Sequence, residues 1–596
     1  MRVGPNRTRE SARTEVRGSS HRAVSILLAL FALSLGSALR ADSIVNSEHD
    51  LSARGPGPVR ALNEQEVCIF CHTPHNAQPE AALWNRDFSR THYRIYDSST
   101  TDARIGQPSG PSKMCLSCHD GSIALGNLLS RPDIDAVTMT SRTMPSGPAD
   151  LGNDLSDDHP IGFRYDRALG SIDPQLRTPE VISRELPLGE HGEFHCTTCH
   201  DPHDNELGDF LRITDRNGAM CVTCHDMAGW RLASHSLSHA RTPGRSVDPT
   251  DPLKYGTVAE NACLNCHKIH SADQPERLLR SRLEGGNCLN CHNGTVANED
   301  ILSEVRKLSG HRSTGFRGVH DPEEYPLTMQ RHVDCVDCHN PHAARAGLVK
   351  VSSNPSTPPP VPPESAGVSG VTASGVPTDR AYYTYQICFK CHGDNINRPQ
   401  STISRQITQT NTRLEFQPNN PSFHPILRPR NSRDVPSLLA PMTPSTMISC
   451  TDCHNSDQSR LAGGSGPDGP HGSRYEPLLI ANYRTTDPSS ESEQNYALCY
   501  RCHDRNSILG NESFTLHRLH VVGERAPCSV CHDAHGISAS QGNSTEHSNL
   551  INFDLSVVRP IPFDFTPRLG YMDTGQMSGS CTLVCHDVTH VNFAYP

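Results

Sequence analysis

Cys196-Thr197-Thr198-Cys199-His200-Asp201-Pro202-His203 holds a pattern, Cys-x-x-Cys-His, that recurs along the whole chain. Eleven copies keep this spacing, and a twelfth, Cys581-Thr582-Leu583-Val584-Cys585-His586, is stretched by one residue. Twelve copies use 24 cysteines and the chain has 24, so none is left for another purpose. A histidine follows every second cysteine, although histidine is only 34 of 596 residues. Structural zinc and redox dithiols need no such histidine. Covalent attachment of haem c does.

The spacing has a physical reason. On one turn of helix, residues three and four apart share a face, so both cysteines reach the two vinyl groups of one haem. The adjacent histidine then turns its imidazole onto the iron as the proximal ligand. In the stretched copy the sulfurs move from three to four apart and stay on one helical face, so it counts as a haem site as well.

The thioether candidates are Cys68, Cys71, Cys115, Cys118, Cys196, Cys199, Cys221, Cys224, Cys263, Cys266, Cys288 and Cys291 in the first six copies. Cys335, Cys338, Cys388, Cys391, Cys450, Cys453, Cys499, Cys502, Cys528, Cys531, Cys581 and Cys585 follow in the last six. The proximal candidates are His72, His119, His200, His225, His267, His292, His339, His392, His454, His503, His532 and His586. The third and fourth copies begin 25 residues apart, and so do the fifth and sixth, which marks a doubled repeat.

Apolar residues are 35% of the chain and aromatics 5%, while 46 prolines and 43 glycines interrupt regular structure. An all-protein core of ordinary size is hard to build from this, and bound macrocycles can supply what the side chains lack. The expected fold is therefore mostly irregular coil with short α-helices at the motifs and little β-structure, wrapped around haem. The expected organisation is a signal peptide over 1–41, a haem module over 42–170 (copies one and two), and a second over 171–350 (copies three to seven). A Pro/Ser/Gly-rich linker or loop over 351–380 leads to a third module, 381–596. Without the leader, the chain allots about 46 residues to each motif.

Six arginines from Arg2 to Arg22 precede an apolar run from Ala23 to Leu35 with small residues after it, the pattern of an export signal. That run is short for a membrane span, and no later stretch approaches spanning length. Export agrees with the chemistry, since thioether attachment takes place outside the cytoplasm. A net charge of −11 without a basic tract argues against nucleic acid as a partner. Gly464-Ser465-Gly466-Pro467-Asp468-Gly469 matches a dinucleotide fingerprint, but no strand precedes it and a proline interrupts it, so it reads as a loop.

Once the motif histidines and His21 are set aside, 21 histidines remain for twelve irons, against 11 scattered methionines, so bis-histidine coordination is expected. His75, His203, His270, His342 and His535 each lie three residues after a motif histidine, and His590 lies four after. None of them easily reaches the far face of its own iron, so each is expected to ligate a neighbouring haem. Copy nine has Asn455-Ser456-Asp457 instead, and His471 is a candidate replacement. The other distal candidates are His49, His159, His239, His311, His424 and His520. His235 competes with His239, His517 with His520, and His320 or His332 with His311. His92, His191, His195 and His547 have no assigned role.

Cys68-Ile69-Phe70-Cys71-His72-Thr73-Pro74-His75, Cys115-Leu116-Ser117-Cys118-His119-Asp120-Gly121 and Asp334-Cys335-Val336-Asp337-Cys338-His339-Asn340-Pro341-His342, with the stretched copy, resemble the exported multihaem cytochromes with doubled motifs found in metal-reducing bacteria. The resemblance implies haem-to-haem electron transfer in the periplasm, across the outer envelope or at the cell surface. It implies redox proteins or terminal acceptors such as metal oxides as partners, and self-association into filaments or an outer-membrane complex. The alternative is a multihaem reductase of nitrite, hydroxylamine or a sulfur oxyanion, which needs one iron open on its distal face. Mass spectrometry of the denatured holoprotein is expected to show twelve haem increments; eleven would remove the stretched copy from the set.

Overall fold

The computed structural model describes residues 44–132, 136–182, 184–242, 253–315, 318–347, 356–429, 435–562 and 568–595. The expected leader and the first residues of the 351–380 stretch lie outside these. Most of the described chain is turn and coil, with short helices and two-residue strand pairs, as the glycine and proline content dictates. Among the described residues no helix is long and apolar enough to cross a membrane.

The chain divides into two units. One comprises residues up to Asp87 with Leu125–Arg142 and His200–Arg212; the other comprises Phe88–Ala124, Thr143–Cys199 and everything from Ile213 onward. The first centres on a small cluster of Ala61, Phe70, Leu128 and Val137, in which Phe70 belongs to the first motif. The second has no single core. Its largest cluster holds seven buried residues, among them Phe163, Ile182 and Phe194, and others gather around Phe389 and around Val530. Each cluster sits beside a motif, so protein packing is local to the turns that carry the cysteines.

Eleven motifs begin in a helical turn. Most are single turns, such as Cys196–Cys199 and Cys221–Cys224. Two are longer: α1 (Gly110–His119) and α2 (Thr384–His392). The histidine N–H bonds the first cysteine's carbonyl at 2.8 Å for His72 and 2.9 Å for His225, His339 and His454, which closes the turn. Side chains just outside the motifs stabilise some of these turns. Asp334 and Ser449 cap the turns at Cys335 and Cys450, while Asp337 and Asp452 accept the cap residues' own N–H at 2.6 and 2.7 Å.

The stretched motif departs from the helical expectation. A four-stranded antiparallel sheet closes the chain, formed by β1 (Val558–Arg559), β2 (Gly570–Gly575), β3 (Ser578–Cys585) and β4 (Val588–Tyr595). The strand order is β2-β3-β4, with β1 also pairing β3. Cys581 and Cys585 lie on β3, and the period of two still puts residues four apart on one face. His586 and Asp587 form the two-residue hairpin loop to β4, with φ of 48° and 60°, the double left-handed geometry that suits the right-handed twist of the strands. The inserted residue thus goes with a change from turn to strand. The 464–469 segment is a turn region with no strand leading into a helix, in keeping with its reading as a loop.

Within 351–380, the described part packs. Gly370–Val371 pairs with Pro377–Thr378, and Val371, fully buried, lies in one cluster with Tyr385 and Phe389 of α2. Val371→Ala removes two buried methyl groups and is expected to cost about 2 kcal/mol. Denaturant midpoints of the holoprotein measure it, and an unchanged midpoint would mean that the segment hangs free.

Candidate functional site

The motif turns aim their histidines at other histidines from distant parts of the chain. His72 faces His203 with ring centres 6.1 Å apart and planes 8° from parallel. His225 faces His159 at 6.4 Å, His267 faces His342 at 6.3 Å and His292 faces His235 at 6.2 Å. His339 and His471 are 6.0 Å apart, His392 and His311 6.4 Å, His454 and His535 6.1 Å, and His532 and His517 6.4 Å. His119 has His270 within electrostatic reach, and His503 has His424. Ten of the twelve motif histidines therefore have a described histidine partner.

The spacing is informative. Rings in direct contact would let their centres approach to about 4.5 Å. Two bonds of about 2 Å from one metal to imidazole nitrogens, plus roughly 1.1 Å from each nitrogen to its ring centre, place the centres about 6 Å apart. The pairs leave room for one iron, and the residues present fit the group that the motifs imply.

Orientation is held from behind. The Nδ1 of His119 bonds the Ala149 carbonyl at 2.7 Å, His267 that of Arg277 at 2.9 Å, His339 that of Glu364 at 2.9 Å and His532 that of Asn549 at 2.9 Å. The facing histidines are tied the same way. His235 bonds the Pro341 carbonyl at 3.0 Å and His424 that of Ala534 at 2.6 Å, while His270 bonds Asp158 and His535 bonds Glu415, both at 3.0 Å. A carbonyl or carboxylate accepting from Nδ1–H fixes the tautomer in which the Nε2 lone pair is free for a metal.

Burial supports the same form. It is the main cause that pushes His292, His392, His454 and His503 down to about 4, with neighbouring imidazoles adding to it, so these rings are neutral. His535 differs. Burial pulls it down, but the Glu415 carboxylate outweighs this and lifts it to about 9.

The attachment cysteines are ordered too. The thiols of Cys115 and Cys196 are neighbours, and so are Cys221 and Cys263, Cys288 and Cys335, Cys388 and Cys450, and Cys499 and Cys528. In each case the first cysteine of an even-numbered copy meets the first cysteine of the next copy. At the alternate steps the second cysteines are in electrostatic reach: Cys266 with Cys291, Cys338 with Cys391 and Cys453 with Cys502, while Cys531 reaches Cys581 and Cys585. Gly218 makes one of these approaches possible. Its φ is +68°, and a Cβ there would stand 3.0 Å from the Cys263 sulfur.

Four of the five histidines three residues after a motif meet other copies. His203 of copy three faces copy one, His342 of copy seven faces copy five, and His535 of copy eleven faces copy nine. Continuing this step of two, copy nine should face copy seven, and His471 stands there in place of the missing histidine. His270 instead meets copy two. His159, His311 and His424 each lie at a motif histidine.

Other placements differ from the expectation. His235 rather than His239 reaches a motif histidine, and His239 is exposed. His517 rather than His520 reaches His532, while His520 lies 6.5 Å from His590 on β4. His75 is exposed, and His49 stacks on Phe210 at 4.1 Å. His586 turns its Nε2 to the Asp487 carboxylate at 2.8 Å. Of the unassigned set, His195 is held by Ser112 and Glu193, and His320 and His332 face each other instead of displacing His311. No sequence signal separates His235 from His239, since the acceptor that orients His235 comes from Pro341, over 100 residues away.

Comparison with known proteins agrees with this chemistry. The doubled CXXCH motif family matches residues 188–229 and 256–297, the two segments that hold copies three to six. The chain is also similar to the multiheme cytochrome MtrA of Shewanella baltica (strain OS185), with 24% identity over 165 residues. That match covers 25% of this chain and spans 36% of the relative's length. Taken with twelve attachment motifs and their facing imidazoles, these matches make the chain a multihaem c-type cytochrome built on doubled Cys-x-x-Cys-His units.

Proposed function

We propose that this protein is exported and carries electrons along about twelve covalently attached haems, most of them held between two histidines. The observation that carries this reading is the spacing of 6.0 to 6.4 Å between motif histidines and their facing imidazoles. The paired imidazoles would hold each such iron from two sides and would leave no open position on it for a substrate. Each bound haem supplies a reversible one-electron iron couple. The protein's part is to order these couples. The side-by-side first cysteines and the alternate second cysteines bring copy two beside copy three and run without a break from copy four to copy twelve, so the sequence order of these motifs would become their spatial order.

His203, His342, His471 and His535 would act as ties in this arrangement: each is anchored near one copy and would ligate the iron of another. His270 would do the same for copies five and two. The acidic surface, with the haem propionates added to a chain charge of −11, suits cationic or metal-rich acceptors. Redox proteins and external acceptors such as metal oxides are the partners this reading implies, with the periplasm, outer surface or extracellular space as the location. Assembly into filaments or an outer-membrane complex accords with the same chemistry.

One observation favours a second reading. The Nε2 of His586, the motif histidine of the stretched copy, faces Asp487 instead of an imidazole. An iron held there with an open face is what a reductase of nitrite, hydroxylamine or a sulfur oxyanion requires. Voltammetry of the adsorbed holoprotein separates the two. A carrier gives a broad reversible response that is unchanged when any of the three substrates is added; a catalytic wave would establish the reductase. His471→Ala is expected to convert one haem per chain to a high-spin absorption spectrum with the attached haem count unchanged. A fully low-spin variant would remove His471 from the ligand set.

A further inference from the structure

Away from the haem pairs, four side chains converge on one point. His320 Nδ1 lies 3.4 Å from His332 Nε2, and each nitrogen also faces two carboxylates. Glu324 is 3.5 Å from His320 and 3.3 Å from His332, and Asp337 has its Oδ1 3.5 Å from His320 and its Oδ2 3.8 Å from His332. Three short segments supply them: His320 with Glu324, then His332, then Asp337 from inside the seventh motif.

A second, independent observation points into the cluster. Asp337 is 4% exposed, and its Oδ1 is buried without a hydrogen-bond partner. Its other oxygen is committed to the cap of its own turn, accepting the Asp334 N–H at 2.6 Å. A buried carboxylate oxygen left unpaired is destabilising unless something else satisfies it. The nearby Lys390 is occupied elsewhere, donating to the Asp337 backbone carbonyl at 2.6 Å. His332 is already oriented, since its Nδ1 is bonded to the Gln330 carbonyl at 2.8 Å, which turns the Nε2 lone pair to the centre.

Two imidazole nitrogens at 3.4 Å cannot both be satisfied by each other when each presents a lone pair. An ion at the centre satisfies both. Tetrahedral ligands with bonds of about 2.0 Å stand about 3.3 Å apart, close to the separations observed here. Two neutral imidazoles and two carboxylates also carry the charge that balances a divalent cation. From this geometry we infer that His320, Glu324, His332 and Asp337 form a non-haem site for a divalent first-row transition ion, with zinc the best match to the donor set. The ion would clamp the 320–332 segment onto the turn of the seventh motif. None of its four ligands is one of the paired histidines assigned to haem.

The test uses the holoprotein, freed of loose metal with a chelator, titrated with zinc and desalted. Zinc is counted by mass spectrometry of the elements, and haem separately by its pyridine complex. The wild type is expected to retain one zinc per chain, with nitrogen and oxygen neighbours at about 2.0 Å and no sulfur in the zinc X-ray absorption spectrum. His332→Asn and Glu324→Gln are expected to weaken zinc binding at least about tenfold with haem content unchanged. The exposed neighbour exchange Glu323→Gln is expected to leave it intact. Absence of stoichiometric zinc in the wild type, or equal retention by both variants, would overturn the site in favour of a protonated ion-pair cluster. A changed haem spectrum in His332→Asn would overturn it by making that histidine an iron ligand. The absorption measurement on the wild type stands even where a variant fails to mature.

Discussion

In the proposed arrangement, an iron between two imidazoles would tie together parts of the chain that are far apart in sequence, and the rest of the structure depends on this constraint. His72 and His203 are separated by about 130 residues, and so are His339 and His471, yet each pair holds ring centres about 6 Å apart. A chain with 5% aromatic residues and small scattered apolar clusters has little else with which to close such long loops. Loop closure costs entropy that grows slowly with length, so a few strong ligand bonds can hold long irregular segments. This explains why so much of the chain is coil without being an independent linker. The 356–380 segment shows the point on a small scale, since its hairpin packs against the helix that carries the eighth motif.

The turns that carry the motifs were legible in the sequence because Cys-x-x-Cys-His encodes them directly: three-residue spacing, a following histidine, and a cap such as Asp334 or Ser449 just before. The role of the histidine three residues on was legible in kind, because steric reach excludes its own iron. Its target was not. His270 meets copy two while its counterparts step back by two copies, and that choice is made by Asp158, which holds His270 from over 100 residues away. The choice of His235 over His239 is hidden for the same reason. Neighbouring histidines look alike in sequence, and the distant Pro341 carbonyl holds the ring that is turned inward.

The stretched motif was misread for a different reason. Three and four residue spacings both share a helical face, so the insertion looked compatible with a turn. Four residues also share a strand face, and the segment from Gly570 to Tyr595 follows that alternative, with a tight loop at His586-Asp587. Asp337 shows a further layer that composition hides. Its Oδ2 caps the seventh motif while its Oδ1 faces His320, so a residue between two attachment cysteines is also placed toward the proposed zinc site.

The ring planes offer the most direct test of the ligand pairs. His72/His203, His267/His342 and His339/His471 are within 16° of parallel, whereas His159/His225 and His235/His292 stand at 77° and 89°. The angle between two axial imidazole planes sets the splitting of the iron d orbitals that overlap them. Electron paramagnetic resonance of the fully oxidised holoprotein should therefore show two low-spin populations, a rhombic one from the parallel pairs and a strongly anisotropic one from the perpendicular pairs, with high-spin iron limited to at most the His200 and His586 sites, the two outside the ten pairs. High-spin ferric iron amounting to several haems per chain would contradict the account.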